Sequence, residues 1–270
     1  MTIDKKCALA LALCFFAFQT SAQQPYQMLD AKLLPGWRTD DGTHLAGLHL
    51  ELGTGWKTYW RSPGETGIPP IFDWTESSNI SSIEVEWPSP MIFTQAGARS
   101  IGYSGQVTLP LRVTPENIGQ PVRIVGNIDL GVCSDDLCVP VPLSVSGYLP
   151  STSFDIDPHI SAALASLPLS GNEASVKDVS CRVQPVDDEL QLDVEIALPR
   201  SYGREIAVVE TGNPAILVES RHNMVKGNSL RTQVRLYHME GRAFGLDRSR
   251  LRITVLGGPN AVEIIGCSAS

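Results

Sequence analysis

The sequence contains no apolar run long enough to cross a bilayer. Its densest apolar stretch, Cys7 to Phe18, falls short of the ~20 residues that a spanning helix needs. It also has no Gly-rich phosphate loop, no zinc-type Cys or His spacing and no serine nucleophile motif, and so offers nothing to phosphate-loop, zinc-site or serine-hydrolase chemistry. Helical periodicity is scarce, and there is neither a repeat of fixed period nor a low-complexity tract. Positive charge is in the minority. With 21 Lys and Arg against 29 Asp and Glu, the net charge of -8 argues against nucleic acid or an anionic membrane as a partner.

Several signals are present. Met1-Thr-Ile-Asp-Lys-Lys6, the apolar run and Gln19-Thr-Ser-Ala22 form a basic segment, a short hydrophobic segment and a small-residue cleavage site, which predicts a secretory signal peptide over residues 1–22. Cys14 follows Leu13, where a lipoprotein signal would carry a small residue, which argues against a lipid anchor. The mature chain is therefore expected to be soluble, not membrane-spanning, and to reside in an oxidising compartment, where disulfides persist. Cleavage leaves Cys133, Cys138, Cys181 and Cys267, which allow three connectivities. Their positions favour 133–138 and 181–267, each pair inside one candidate domain.

Abundant glycine (23) and proline (19) between short strand-like segments point to an all-β class. His44 to Leu52 alternates, with Leu48, Leu50 and Leu52 on one face and His49 and Glu51 on the other, after an Asp40-Asp-Gly42 turn. Further strands are predicted over 56–60, 83–87, 107–113, 122–130 and 139–147. That number of strands over residues 23–150 fits an immunoglobulin-like sandwich. Residues 151–175 read as a short helix and a linker: Asp157 can cap the helix, Pro158 can open it, and Ile160, Ala163, Leu164 and Leu167 share a face. A second, smaller β-sandwich is expected over 176–270, with Asp187-Asp188 and Lys226-Gly-Asn228 as hairpin tips.

Cys133 and Cys138 lie in Gly131-Val-Cys-Ser-Asp-Asp-Leu-Cys-Val-Pro140, between two strand-like segments. Read as a hairpin, the pair faces itself across a tip at Ser134–Leu137. Opposed Cα atoms ~4.5–5.5 Å apart overlap the disulfide window, so the bond can open and close with little backbone movement. In the chain-entropy model the 133–138 loop gives roughly 2 kcal/mol and the 181–267 loop roughly 4.5 kcal/mol, which makes the long bridge the better structural staple. On these grounds a redox role and a structural role both stay open for Cys133–Cys138. Asp135 and Asp136 disfavour a thiolate, and the tip itself offers no cation to oppose them, so unactivated thiols are expected; the two acids also suit a solvated turn.

Trp56, Thr58 and Trp60 share one face of their strand, and Lys57, Tyr59 and Arg61 the other. These are core residues on one reading. On another, an exposed tryptophan pair would stack sugars. His222-Asn-Met224 and His238-Met239 supply ligand types suited to copper, although scattered His and Met at hairpins are commonly surface residues.

Gly55-Trp-Lys-Thr-Tyr-Trp-Arg-Ser-Pro-Gly64, Trp87-Pro-Ser-Pro90, Ile101-Gly-Tyr103, Leu109-Pro110 and the Cys-x4-Cys followed by Val-Pro together resemble the periplasmic amino-terminal domain of the DsbD/ScsB thiol:disulfide reductases. The likeness covers residues 30–150, and the later helix and second β region resemble the longer ScsB-type ectodomain. The resemblance implies an immunoglobulin-like sandwich whose Cys133 and Cys138 accept electrons from a membrane-embedded DsbD/ScsB-type donor. They would pass them to a periplasmic thioredoxin-like protein without any cofactor, and ScsB-type members are linked to copper tolerance. It further implies that Phe93, or its neighbour Met91 or Ile92, caps the cysteines, that Tyr59 lies close to them, and that Cys138 is the sulfur reached by incoming thiols. The tip is one residue shorter than in the enterobacterial DsbD domain. No membrane module follows in this chain, so the donor is expected to be a separate protein. Two other readings remain: a non-catalytic copper- or partner-binding module, and a carbohydrate-binding sandwich with only structural disulfides.

Overall fold

The computed structural model describes residues 28–95, 97–187 and 189–269; the expected signal peptide and Asp188 lie outside them. The first ten strands are β1 (Leu29–Arg38), β2 (His44–Leu52), β3 (Lys57–Gly64), β4 (Ile71–Asp73), β5 (Ser82–Val85), β6 (Met91–Gln95), β7 (Ala98–Ser104), β8 (Gln106–Thr114), β9 (Val122–Cys133) and β10 (Cys138–Leu149). They form two sheets, one ordered β1-β2-β8-β5 and the other β10-β9-β3-β7-β6, with β4 pairing β9. Alternate residues of both sheets, among them Leu48, Leu50, Leu109 and Leu111 from one and Trp60, Ile124, Leu130 and Val132 from the other, meet in one buried core. This is the packing of an immunoglobulin-like sandwich.

Helix α1 (Pro158–Ala165) follows, capped by the Asp157 carboxylate, which accepts hydrogen bonds from the His159 and Ile160 N–H groups at 2.8 and 3.2 Å. Its fully buried Ile160 fits against the bare backbone of Gly47, where a side chain would collide with it.

The remaining strands are β11 (Leu169–Ser170), β12 (Asp178–Val186), β13 (Glu189–Ala197), β14 (Ile206–Glu210), β15 (Ile216–Lys226), β16 (Ser229–His238), β17 (Arg252–Leu256), β18 (Val262–Ile265) and β19 (Ser268–Ala269). They make a β11-β18-β17-β14 sheet and a β15-β16-β13-β12-β19 sheet. The described residues are thus all-β but for short helices.

The β11-β18-β17-β14 sheet is covered on both faces. Ala207, Val209, Ile253 and Val255 point into the second core, while Ile206, Val208 and Leu256 pack against the first sandwich. Arg61 crosses this joint. β3 bulges away from β7 between Tyr59 and Gly64, and the guanidinium forms a fork with Glu210 at 3.0–3.2 Å and reaches Glu263 at 2.7 Å. It also stacks 4.2 Å over Trp60.

Candidate functional site

β9 and β10 pair without interruption from Val122↔Leu149 to Cys133↔Cys138. The turn that joins them closes on a hydrogen bond from the Ser134 N–H to the Leu137 carbonyl at 2.8 Å. Ser134 Oγ accepts from the Asp136 and Leu137 N–H groups at 3.3 and 3.2 Å, as serine does in turns. Counting back from that bond makes Cys133/Cys138 a non-hydrogen-bonded pair, the kind with the closest Cα atoms. They are 4.1 Å apart and the sulfurs are bonded. The same count directs the main-chain groups of 138, 140 and 142 away from β9. At this outer edge Pro140 and Pro142 remove N–H groups that would otherwise invite another strand.

β3 lies on the other flank of β9, with Lys57 opposite Cys133 and Thr58 opposite Val132. The Thr58 hydroxyl donates to the Gly131 carbonyl at 3.0 Å and holds that register. Alternation sends Trp60 into the core and leaves Lys57 and Tyr59 on the face that carries the sulfurs. Tyr59 OH donates to Cys133 Sγ at 2.8 Å and lies 3.7 Å from Cys138 Sγ. Gly131 makes this possible, because a Cβ there would sit 3.1–3.2 Å from the Tyr59 ring and 2.9 Å from Ile68 Cβ. Burial pushes the Tyr59 phenol up, so at neutral pH it keeps its proton and remains a donor. The two cysteines are unequal: Cys133 is 0% exposed beneath this cover, while Cys138 is an exposed residue.

A cation does reach the tip, from a direction that a reading of the tip alone misses. Lys57, only 8% exposed, sets its ammonium 3.8 Å from the Asp135 carboxylate and 5.4 Å from the centre of the Phe93 ring. Only the alternation of β3 together with its pairing to β9 reveals it. Asp136 is exposed on the turn. Phe93 sits on β6 opposite Ser100 and is half-buried. It meets the cysteine region through Lys57. Its neighbours turn elsewhere: Ile92 packs on the core and Met91 lines a cavity with His49 and His159.

Cys181 is bonded to Cys267, with Cα atoms 5.7 Å apart and Cys181 fully buried in the second core. The tryptophans form no sugar platform, because Trp60 is 0% exposed and Trp56 packs against the core. This removes the surface that the carbohydrate reading required. His222 and Met224 line one trough on the outer face of their sheet. His238 lies at the opposite end of the β15–β16 hairpin, so the two His/Met pairs are not brought together. Among the described residues no three His, Cys, Asp or Glu side chains converge as a metal site.

A sandwich that holds a hairpin disulfide against a tyrosine, one sulfur covered and one open, has the parts of a thiol-disulfide interchange domain. Residues 30–146 match the family model described as thiol:disulfide interchange protein DsbD, N-terminal. The crystal structure of the N-terminal periplasmic domain of ScsB from Proteus mirabilis superimposes with a TM-score of 0.62 at 22% identity, covering 90% of this chain and 92% of that one. The fold is therefore shared across both sandwiches. A protein of unknown function from Porphyromonas gingivalis W83 aligns over 88% of this chain and 99% of its own at 15% identity, but with a TM-score of only 0.23. No curated protein matches the sequence. Among the described residues no helix is long and apolar enough to cross a membrane.

Proposed function

We propose that the chain is a periplasmic dithiol carrier that takes electrons from a membrane-embedded DsbD/ScsB-type donor and delivers them to a thioredoxin-like protein through Cys133 and Cys138. The observation that carries this reading is the inequality of the two cysteines. Cys138 is exposed at the tip, while Cys133 is buried and hydrogen-bonded by Tyr59 at 2.8 Å.

In this scheme a donor thiolate attacks Cys138 Sγ. The Cys133–Cys138 bond breaks, its electron pair goes to Cys133, and a mixed disulfide forms at Cys138. Tyr59 donates to the departing Cys133 thiolate, which makes it the better leaving group. The donor's second thiolate then attacks its own sulfur in the mixed disulfide and releases Cys138. Two electrons have moved, and both cysteines end as thiols once two protons are taken up. Delivery runs the same steps in reverse, with Cys138 attacking the acceptor disulfide and Cys133 resolving the intermediate. The exposed Leu137 and Ile68 beside the hairpin give a protein partner an apolar rim to rest on. Phe93 serves as a cap on the Lys57 side of the hairpin that leaves Cys138 open, and Cys181–Cys267 as the static staple.

Thiol trapping in the native compartment tests this. Cys133→Ala, which keeps Cys138, should accumulate a mixed disulfide with a discrete partner, whereas Cys138→Ala should not. Equal trapping by both variants, or by neither, would sink the carrier reading. The ScsB-type likeness extends the proposal to copper tolerance. Cells lacking the chain should then grow less well in copper, and the double cysteine variant should fail to restore them.

A further inference from the structure

Lys57 is nearly buried, and an ammonium taken out of water is costly unless something compensates it. In the oxidised protein its contacts include the Asp135 carboxylate at 3.8 Å and the face of Phe93 at 5.4 Å. The Asp135 side chain is 90% exposed, and water weakens such a pair. Lys57 also stands directly opposite Cys133 in the β3–β9 register. Opposed side chains on one face have Cβ atoms ~4.5–5.5 Å apart, within the swing of lysine's flexible stem. A thiolate formed on Cys133 would arise in a covered place, directly opposite the residue that carries this ammonium.

We propose that Lys57 is a positioning residue that polarises the disulfide toward Cys133 and couples its redox state to the cap. With the bond closed, Lys57 spans Asp135 and Phe93 and holds the hairpin tip and the cap strand together. When the bond opens, the Cys133 thiolate draws the ammonium across the strand pair, and Asp135 and Phe93 lose their common tether. The groups that bear on the Cys133 charge include Lys57 and Tyr59 from β3, Asp135 from the tip and Asp136 beyond it, with the uncharged Phe93 from the cap. This inference rests on the carrier reading, since it assigns the leaving sulfur of that scheme.

The ultraviolet absorbance of the Cys133 thiolate, followed against pH in Cys138→Ala protein with Cys181–Cys267 intact, tests it. Lys57→Met should raise the midpoint by about 1 unit or more, the size of effect a close opposite charge produces, and Lys57→Arg should bring it back. Asp135→Asn, on the exposed tip, offers a second route if Lys57→Met does not fold, and should lower the midpoint. An unmoved midpoint in folded Lys57→Met, or in Asp135→Asn, overturns the assignment. A wild-type disulfide that a thioredoxin-range couple cannot reduce would defeat the carrier reading itself. A reducible one whose midpoint ignores Lys57 would defeat only this inference.

Discussion

At the scale of single residues, the site turns on one phenol and the glycine that admits it. Tyr59 is 3% exposed and its hydroxyl points at Cys133 Sγ. Tyr59→Phe keeps the ring and removes the donor. At a pH where the reduced Cys133 is ionised, a hydrogen bond to the charged sulfur is stronger than one to a disulfide, so the reduced form loses more. We expect the reduction potential of Cys133–Cys138 to fall by about 10–30 mV, the equivalent of a hydrogen bond worth about 0.5–1.5 kcal/mol. Equilibration with a thioredoxin couple measures this; a potential that rises would mean that Tyr59 favours the disulfide instead. Gly131 looks in the sequence like ordinary turn punctuation, and its reason becomes visible only when β3 is laid beside β9. The same holds for Lys57. Tyr59 and Cys133 are 74 positions apart. Alternation within the Trp-Lys-Thr-Tyr-Trp strand tells which residues share a face, but it does not tell which strand that face meets.

At the scale of elements, the strand around residues 44–52 was legible because apolar Leu48, Leu50 and Leu52 alternate with polar His49 and Glu51, even though the structure buries both faces, with Ile160 of α1 packed over Gly47 on the outer one. The strands without that contrast were harder to read. β14 is apolar toward both neighbours and carries no period, and β1 is interrupted by an irregularity between Leu34 and Trp37 around Pro35-Gly36. The β6–β7 hairpin hides behind Pro88-Ser-Pro90 and reads as a loop. β1 and β2 also carry a pH signature. His44 is fully buried opposite Arg38, and its Nε2–H donates to the Pro35 carbonyl at 2.6 Å, while Nδ1 has no hydrogen-bond partner among the described residues. Burial, with Arg38 adding to it, pushes the imidazole below its ordinary value despite the Pro35 bond, so the folded protein holds it neutral. As pH falls below about 6.5 the unfolded chain takes up the proton first, and stability should decline from there down through the folded value. The carboxylates held low by hydrogen bonds, such as Asp41 and Asp247, add their own losses nearer pH 4, roughly the ordinary carboxylate value. Denaturant titrations between pH ~7 and ~5 should show the first decline, and His44→Gln should flatten it. An identical slope in that variant would place the titration elsewhere.

At the scale of the whole molecule, the two sandwiches meet across a sheet with no free face, and Arg61 is the polar clasp in that joint. Arg61→Ala strands Glu210 partly buried without its cation and leaves Glu263 only Arg252 at 3.6 Å, and breaking a buried pair from one side costs about 3–5 kcal/mol. Denaturant unfolding should register a loss of that order. Arg61→Lys should recover little, because an ammonium cannot fork between two carboxylates as a guanidinium does. A loss under 1 kcal/mol, about what a surface pair contributes, would mean that the apolar contacts alone hold the joint. The open sulfur carries a consequence of its own. If Cys138 is the one port, the donor and the acceptor must queue for the same square of surface. They never share it, and no three-protein assembly forms. Turnover then follows ping-pong kinetics, paced by how quickly one visitor departs and the next arrives.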